Sequence, residues 1–459
     1  MIRKGGHRFS ETIMLKQKIR ARCRFNQNAS RSNGYARRAV AAGLAFLIVA
    51  IAIGWSNVGR AESPSPVSTG FSREGLERVG NYIRNEIATG KIPGAILLIQ
   101  QHARPVYFEN FGVRDVETKH PMTADTIFRL YSMSKPVTSV AAMMLVDDGK
   151  LSLGDPVSKY IPAFADVMVG VERPDESGKP SLVLEPVNRP ITIEDLLQHT
   201  SGITYGFYGD SAARKRYANS DLLEGDFDNA LFAQRIAKLP LAEQPGTLWD
   251  YGHSTDVLGR VIEVASGQSL FGFEKQRLLD PLGMTETAFY VADAAKQPRI
   301  AQPMPDDRFK GPLAGIKDPM LPTRWESGGA GMVGTIGDYA RFAQMLLNGG
   351  ILDGRRYLKP ETVALMTSDH IGPETKIARD YFYFPGANSG FGLGFAVRTA
   401  PPTNTAWPTG EYRWDGVAGT FFFIDPPDDM FAICMMQTRS QRGRIQTELK
   451  TLIYEALRQ

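Results

Sequence analysis

Ser132 and Lys135 stand three residues apart in Ser132-Met133-Ser134-Lys135, directly ahead of an apolar run from Pro136 to Val146. If that run is helical, positions i and i+3 lie on one face, and the hydroxyl and the amine become neighbours. A serine hydroxyl is a weak nucleophile until a nearby base takes its proton. A lysine withdrawn from water loses part of its preference for the charged form and can act as that base. Pro136, Val137 and Val140 offer such an apolar setting. The chemistry this pair could do is attack on a carbonyl carbon, with a covalent acyl intermediate on Ser132. A position at a helix start adds backbone N–H groups that favour a developing oxyanion. Ser132 could instead serve only as a helix N-cap, and Ser134 is a rival nucleophile, but the S-x-x-K spacing selects Ser132.

Other chemistries find less support. No H-E-x-x-H, H-x-x-E-H or paired C-x-x-C is present, and the six histidines are dispersed, so neither a metal nor another cofactor is expected. A Ser-His-Asp triad lacks its G-x-S-x-G elbow. His199-Thr-Ser-Gly202 reads as a turn closing a short helix over Thr192–His199, which begins with a capping-box pattern.

The elements that must position the pair follow from periodicity. Leu76, Val79, Ile83 and Ile87 recur at near-helical spacing after Ser72, a candidate N-cap. Gly94–Gln101 and Pro105–Gly112 read as a strand hairpin, and further strands are expected over Phe391–Val397, Gly410–Trp414, Gly419–Asp425 and Met430–Gln437. Helices are expected over Val257–Val264, Asp338–Leu347 and Arg444–Leu457, with a polar loop at Glu172–Lys179. Strands at both ends with helices between predict a mixed α/β fold. One antiparallel sheet would be built from both termini, with an all-helical lobe inserted at roughly 150–330.

The 459 residues carry a formal charge of +4, but eleven of the lysines and arginines precede residue 39, against the single acid Glu11. From Glu62 onward the chain is net acidic, so a nucleic-acid partner is not expected. The basic leader is followed by the uncharged run Ala39–Trp55 and by Gly59-Arg60-Ala61, with small residues where a signal peptidase would need them. The expected organisation is a signal peptide or anchor over 1–61, a linker over 62–70 and a single catalytic domain over 71–459. The body would be periplasmic or extracellular. If the segment were not cleaved, it would anchor the body from the periplasmic side and be its one contact with a membrane. The only cysteines are Cys23 and Cys434. Cleavage would leave Cys434 alone, so no internal disulfide is expected, and its apolar surroundings read as those of a buried structural thiol.

Six motifs occur in one order: Ser132-Met-Ser-Lys135-Pro, Leu151-Ser-Leu-Gly-Asp-Pro, His199-Thr-Ser-Gly-Ile, Trp249-Asp-Tyr251-Gly-His253, Ser327-Gly-Gly-Ala-Gly and Trp414-Asp-Gly-Val-Ala-Gly-Thr. Together, over roughly residues 72–458, they resemble the serine β-lactamase-like hydrolases. That superfamily holds class C β-lactamases, D-Ala-D-Ala peptidases and family VIII carboxylesterases. The resemblance implies a sheet and a helical lobe with the active site between them. It implies Ser132 as nucleophile, Lys135 as base and Tyr251 as the second proton-transfer group, with Tyr205 and Tyr131 as weaker candidates for that role. His253 stands where the family's Tyr-x-Asn motif carries asparagine, and an imidazole cannot present both sides of an amide. Trp414-Asp415-Gly416 stands where β-lactamases carry Lys-Thr-Gly, and is closer to the Trp-Gly-Gly of the esterase branch. Trp414 and Asp415 are therefore expected at the substrate, with Asp415 repelling carboxylates unless Arg413 points inward. The N–H of Val417 would join that of Ser132 in the oxyanion hole. The implied substrate is a small ester or amide, with an ester preferred. β-Lactamase or D-amino-acid peptidase activity is the alternative, and a penicillin-binding envelope protein that acylates and stalls is a further one.

Overall fold

Leu97 and its neighbours in Gly94–Gln101 form the strand on which the fold is built. They read as a continuous apolar run because both faces of this strand are covered. Ile96 and Leu98 point to one side of the sheet, while Ala95, Leu97 and Ile99 point to the other, the two-residue alternation of a pleated strand. The computed structural model describes residues 70–308, 318–372, 376–377, 385–386, 388–403, 405 and 407–458. The expected leader, apolar segment, cleavage site and Cys23 lie outside them.

Among the described residues, seven antiparallel strands form the main sheet: β1 (Gly94–Gln101), β2 (Arg104–Gly112), β3 (Ser389–Phe391), β4 (Ala396–Arg398), β5 (Tyr412–Asp415), β6 (Phe421–Asp425) and β7 (Met430–Met435). Their spatial order is β3-β4-β5-β6-β7-β1-β2, so the N-terminal hairpin docks against the last strand, with Ile96 opposite Met435. Six helices matter for the site: α1 (Arg73–Ala88), α2 (Ser134–Asp147), α3 (Ile193–Gln198), α4 (Ser254–Ser266), α5 (Ile336–Leu347) and α6 (Arg442–Leu457). α1 starts at Ser72, whose hydroxyl accepts from the Gly75 N–H at 3.0 Å. α1 and α6 cover one face of the sheet, burying Val79, Ile83, Ile445, Leu449 and Ile453 against Leu97, Phe423 and Cys434. Cys434 is fully buried there, and burial pushes its thiol up to about 12, as for an inert structural cysteine.

The other face is covered by α5 and α2. Every residue of α2 from Ser134 to Leu145 is buried, the polar Ser134, Lys135, Thr138 and Ser139 included, so this helix sits inside the protein instead of on its surface. The inserted region from Lys150 to Ala330 packs beyond it. Its described residues are mainly helix and irregular chain, but they are not all-helical. Met168–Pro174 and Pro180–Pro186 pair as an antiparallel hairpin, and the expected polar loop at Glu172–Lys179 supplies its tip. A second difference concerns Phe391–Val397, expected as one strand. It is a hairpin corner between β3 and β4, because Gly394 adopts φ +97° and a side chain there would strike Ser139 of α2. Among the described residues, no helix is long and apolar enough to cross a membrane.

Candidate active site

Ser132 is delivered by a sharp turn. The short strand Phe128–Arg129 pairs with Val333–Gly334, Leu130 donates to the Met332 carbonyl at 2.9 Å, and the chain then bends through Tyr131 at φ +47°. A left-handed tyrosine costs roughly 1–3 kcal/mol and persists only where its surroundings enforce it. Ser132 lies in a single 3₁₀ turn, Tyr131–Met133, and α2 proper begins at Ser134. The serine and lysine are therefore brought together by a turn leading into the helix. The rival Ser134 faces away, its hydroxyl accepting from the Met332 N–H at 3.0 Å. β5 closes on the same turn, since the Gly416 Cα comes so near the Leu130 carbonyl that a β-carbon would lie 2.4 Å from it.

Lys135 is 1% exposed, and its Nζ makes three contacts: Ser132 Oγ at 3.4 Å, the Tyr205 hydroxyl at 3.2 Å and the Gly329 carbonyl at 2.7 Å. Burial pulls its pKa down to about 7, while the charges of Asp256 and Asp415 act in the opposite direction. At neutral pH the amine is thus poised between base and acid. Tyr251, also buried, hydrogen-bonds Ser132 and accepts from the Trp414 indole N–H at 3.4 Å, and Lys135 Nζ stands 4.5 Å from its ring centre. Burial pushes its phenol above the usual tyrosine range against both hydrogen bonds, so the hydroxyl keeps its proton at neutral pH. Tyr205 is likewise raised well above that range, by burial first and then by Tyr251 and Asp256.

Several elements hold Tyr251. α3 opens with the capping box Thr192/Asp195 and ends at His199, whose φ of +60° marks the turn expected there. The His199 carbonyl accepts from the Asp250 N–H at 2.9 Å, and its imidazole lies 4.9 Å from the Tyr251 ring. Asp250 is itself fixed by a buried ion pair with Arg214 at 2.8 Å. Trp414 and Phe391 complete an aromatic wall, the Trp414 ring centre lying 5.3 Å from that of Tyr251 and 5.2 Å from that of Phe391.

The remaining expected residues fall in different places. Trp414 faces the site, and β-strand alternation therefore sends its neighbours Arg413 and Asp415 to the opposite face. Asp415 is 2% exposed and pairs with Arg442 of α6 at 3.4 Å, which corrects the expectation that its carboxylate meets the substrate. Arg413 is engaged by Glu411 at 3.3 Å and Ser389 at 3.0 Å, so it does not point inward as a replacement cation. Gly416 and Val417 lie in the turn closed by Gly416 N–H to the Thr420 carbonyl at 2.7 Å, beside the nucleophile's turn. His253 is buried, with Nδ1 2.8 Å from Asp256 Oδ2 and its ring edge-on to Tyr205 at 4.4 Å. Asp256 and the Gly329 carbonyl were missed from sequence. An acid three residues after His253 at a helix start was the available signal for the first; a backbone carbonyl leaves none. Among the described residues no cluster suited to a metal ion occurs.

A nucleophile turn, a buried lysine and a tyrosine set between a sheet and an inserted lobe define a serine hydrolase of the β-lactamase-like type, and comparison bears this out. Residues 79–455 match the Beta-lactamase family, and the chain belongs to it. Protein Rv1367c of Mycobacterium tuberculosis is 36% identical over 365 residues, covering 77% of this chain and 88% of that protein. Esterase EstB of Burkholderia gladioli is 30% identical over 388 residues, covering 79% and 91%. Among solved structures, EstCE1, described as a hydrolase with promiscuous acyltransferase activity, superposes with a TM-score of 0.67 at 26% identity, covering 84% of this chain and 98% of that one.

Proposed function

We propose that this enzyme is an exported carboxylesterase that cleaves small, uncharged esters through an acyl-enzyme on Ser132. Neutral Lys135 takes the proton from Ser132 Oγ as the oxygen bonds to the ester carbonyl carbon. Backbone N–H groups of Ser132 and Val417 hold the oxyanion. As the C–O bond breaks, the proton passes to the leaving alcohol by way of the Tyr251 hydroxyl, which hydrogen-bonds Ser132. Water then attacks the acyl carbon in the reverse sense, returning the proton to Ser132 and releasing the acid. Turnover accordingly follows the fraction of Lys135 that is neutral.

Trp414 carries the choice of ester. Where β-lactamases of this superfamily place a lysine, an indole stands in an aromatic wall, hydrogen-bonded to Tyr251. A charge-assisted hydrogen bond to a carboxylate contributes roughly 1.5–3 kcal/mol, so its absence should cost a β-lactam about one to two decades of specificity. The name of EstB, and the hydrolase description of EstCE1, support the same reading. The test is kcat/KM for p-nitrophenyl butyrate and for nitrocefin on one preparation. The ester should be the faster substrate. Faster nitrocefin hydrolysis would promote a β-lactamase, and release of one equivalent followed by arrest would indicate a stalled penicillin-binding protein.

Export rests on the basic, apolar and small-residue order before Glu62 and on the acidic body that follows. N-terminal sequencing of protein from the envelope fraction should find a chain starting near Glu62. An intact N-terminus in the membrane would favour an anchor, and recovery from the cytosol would refute export.

A further inference from the structure

His253 and Asp256 form a buried pair that the proton-transfer scheme above does not use, and both ends of the pair lead back to Lys135. Asp256 Oδ2 receives His253 Nδ1 at 2.8 Å, while Oδ1 accepts from Ser327 Oγ at 2.5 Å and from the Gly329 N–H at 3.0 Å. Gly329 then presents its carbonyl to Lys135 Nζ at 2.7 Å. The other flank of His253 packs on Tyr205, whose hydroxyl is the second partner of Lys135. The two lysine contacts other than Ser132 are therefore both fixed by groups that His253 touches. The side chains of His253 and Asp256 are 8% and 2% exposed, so water cannot take over these hydrogen bonds cheaply.

We propose that His253 is a positioning residue for the general base, acting through Asp256 to hold the Gly329 carbonyl and to set the negative charge that Lys135 experiences, and that it is not a substrate ligand. This inference rests on the acyl-enzyme reading with Lys135 as base. The titratable groups facing His253 are Asp256 from its own helix, Tyr205 from the 199–211 loop and, beyond Tyr205, Lys135; Phe232, on the remaining side, is uncharged. A donor from His253 satisfies the Asp256 carboxylate and moderates its field. Burial raises that carboxyl, while the hydrogen bond from His253, the Lys135 charge and the Ser327 hydroxyl lower it, and the result is an acid held below its usual range. Without the donor, the less compensated charge favours the ammonium form of Lys135. Without the charge altogether, the neutral amine is favoured.

The two substitutions therefore move the acidic limb of the kcat profile in opposite directions. His253→Ala should move it to higher pH by about half a unit or more, and Asp256→Asn should move it to lower pH. kcat at the optimum should fall roughly ten- to a hundred-fold in each as the amine loses its alignment, with KM for p-nitrophenyl butyrate nearly unchanged. His253→Asn retains an N–H donor toward Asp256 and should keep the limb near the wild-type position. A purely structural role would lower activity and melting temperature together with the limb unmoved, and that result would overturn the proposal. So would shifts of the same sign in His253→Ala and Asp256→Asn, or a rise in KM as the main effect. Mass-spectrometric detection of a phosphonylated Ser132 in each variant separates the two levels. Wild-type protein without label on Ser132 refutes the acyl-enzyme reading itself, whereas labelled variants with an unmoved limb refute only the role of His253.

Discussion

Ser132→Ala is expected to abolish covalent labelling by a fluorophosphonate and to lower ester turnover by roughly 10⁴–10⁶-fold, because loss of a nucleophile leaves only binding and oxyanion stabilisation. The fold should survive the change. Ser132 is half-buried at the cleft, and the bonds that shape its turn belong to its neighbours: Leu130 with Met332, Ser134 with Met332, and Tyr339 with the Met133 carbonyl at 3.1 Å. Melting within a few degrees of wild type, together with lost labelling, is the outcome that assigns the nucleophile. Label recovered on another serine by peptide mapping would reject Ser132.

Lys135→Ala and Tyr251→Phe should each reduce kcat by about 10²–10⁴-fold, the range of a positioned acid or base. The double variant should be little worse than either single one. Ser132 Oγ lies within reach of both groups, and Lys135 Nζ stands over the Tyr251 ring, so the three move one proton and their losses are not additive. Losses that multiply would show two independent roles. The wild-type profile of kcat should rise with pH through about 7, because a lysine whose pKa is lowered is protonated and idle below that value and neutral above it. Tyr251, raised by burial, contributes no limb there. A profile flat between pH 6 and 8 would remove Lys135 as the base.

Much of this site was legible in the chain. The Ser132–Lys135 spacing, the apolar run behind it and the strands at both ends are local patterns, and local patterns survive in sequence. The 3₁₀ turn holding Ser132 was not legible, because it is imposed by pairing of Phe128–Arg129 with Val333–Gly334 from a distant segment. Tyr205 reads as one tyrosine among several in an irregular loop, and only the tertiary structure brings its hydroxyl to Lys135. The misplacement of Asp415 has a different origin. Strand alternation was available from the sequence and, once Trp414 is put in the pocket, already sends Asp415 toward α6. The corner at Gly394 was hidden because its cause is Ser139, on a helix far away in the chain.

The sheet order has a consequence for how the chain comes to be folded. β1 is synthesised long before β7, one of its two neighbours, and α1 waits for α6, whose Ala456 carbonyl accepts from the Ser72 N–H at 2.8 Å. Until β7 and α6 have left the ribosome, the β1–β2 hairpin has an exposed, apolar pairing edge and an incomplete cover over Leu97 and Ile99. Such non-local closure makes folding slow and leaves the nascent chain open to chaperones or to self-association. Under the export proposed above, late closure would be an advantage, since an unfinished chain has no stable sheet to unravel at a translocation channel.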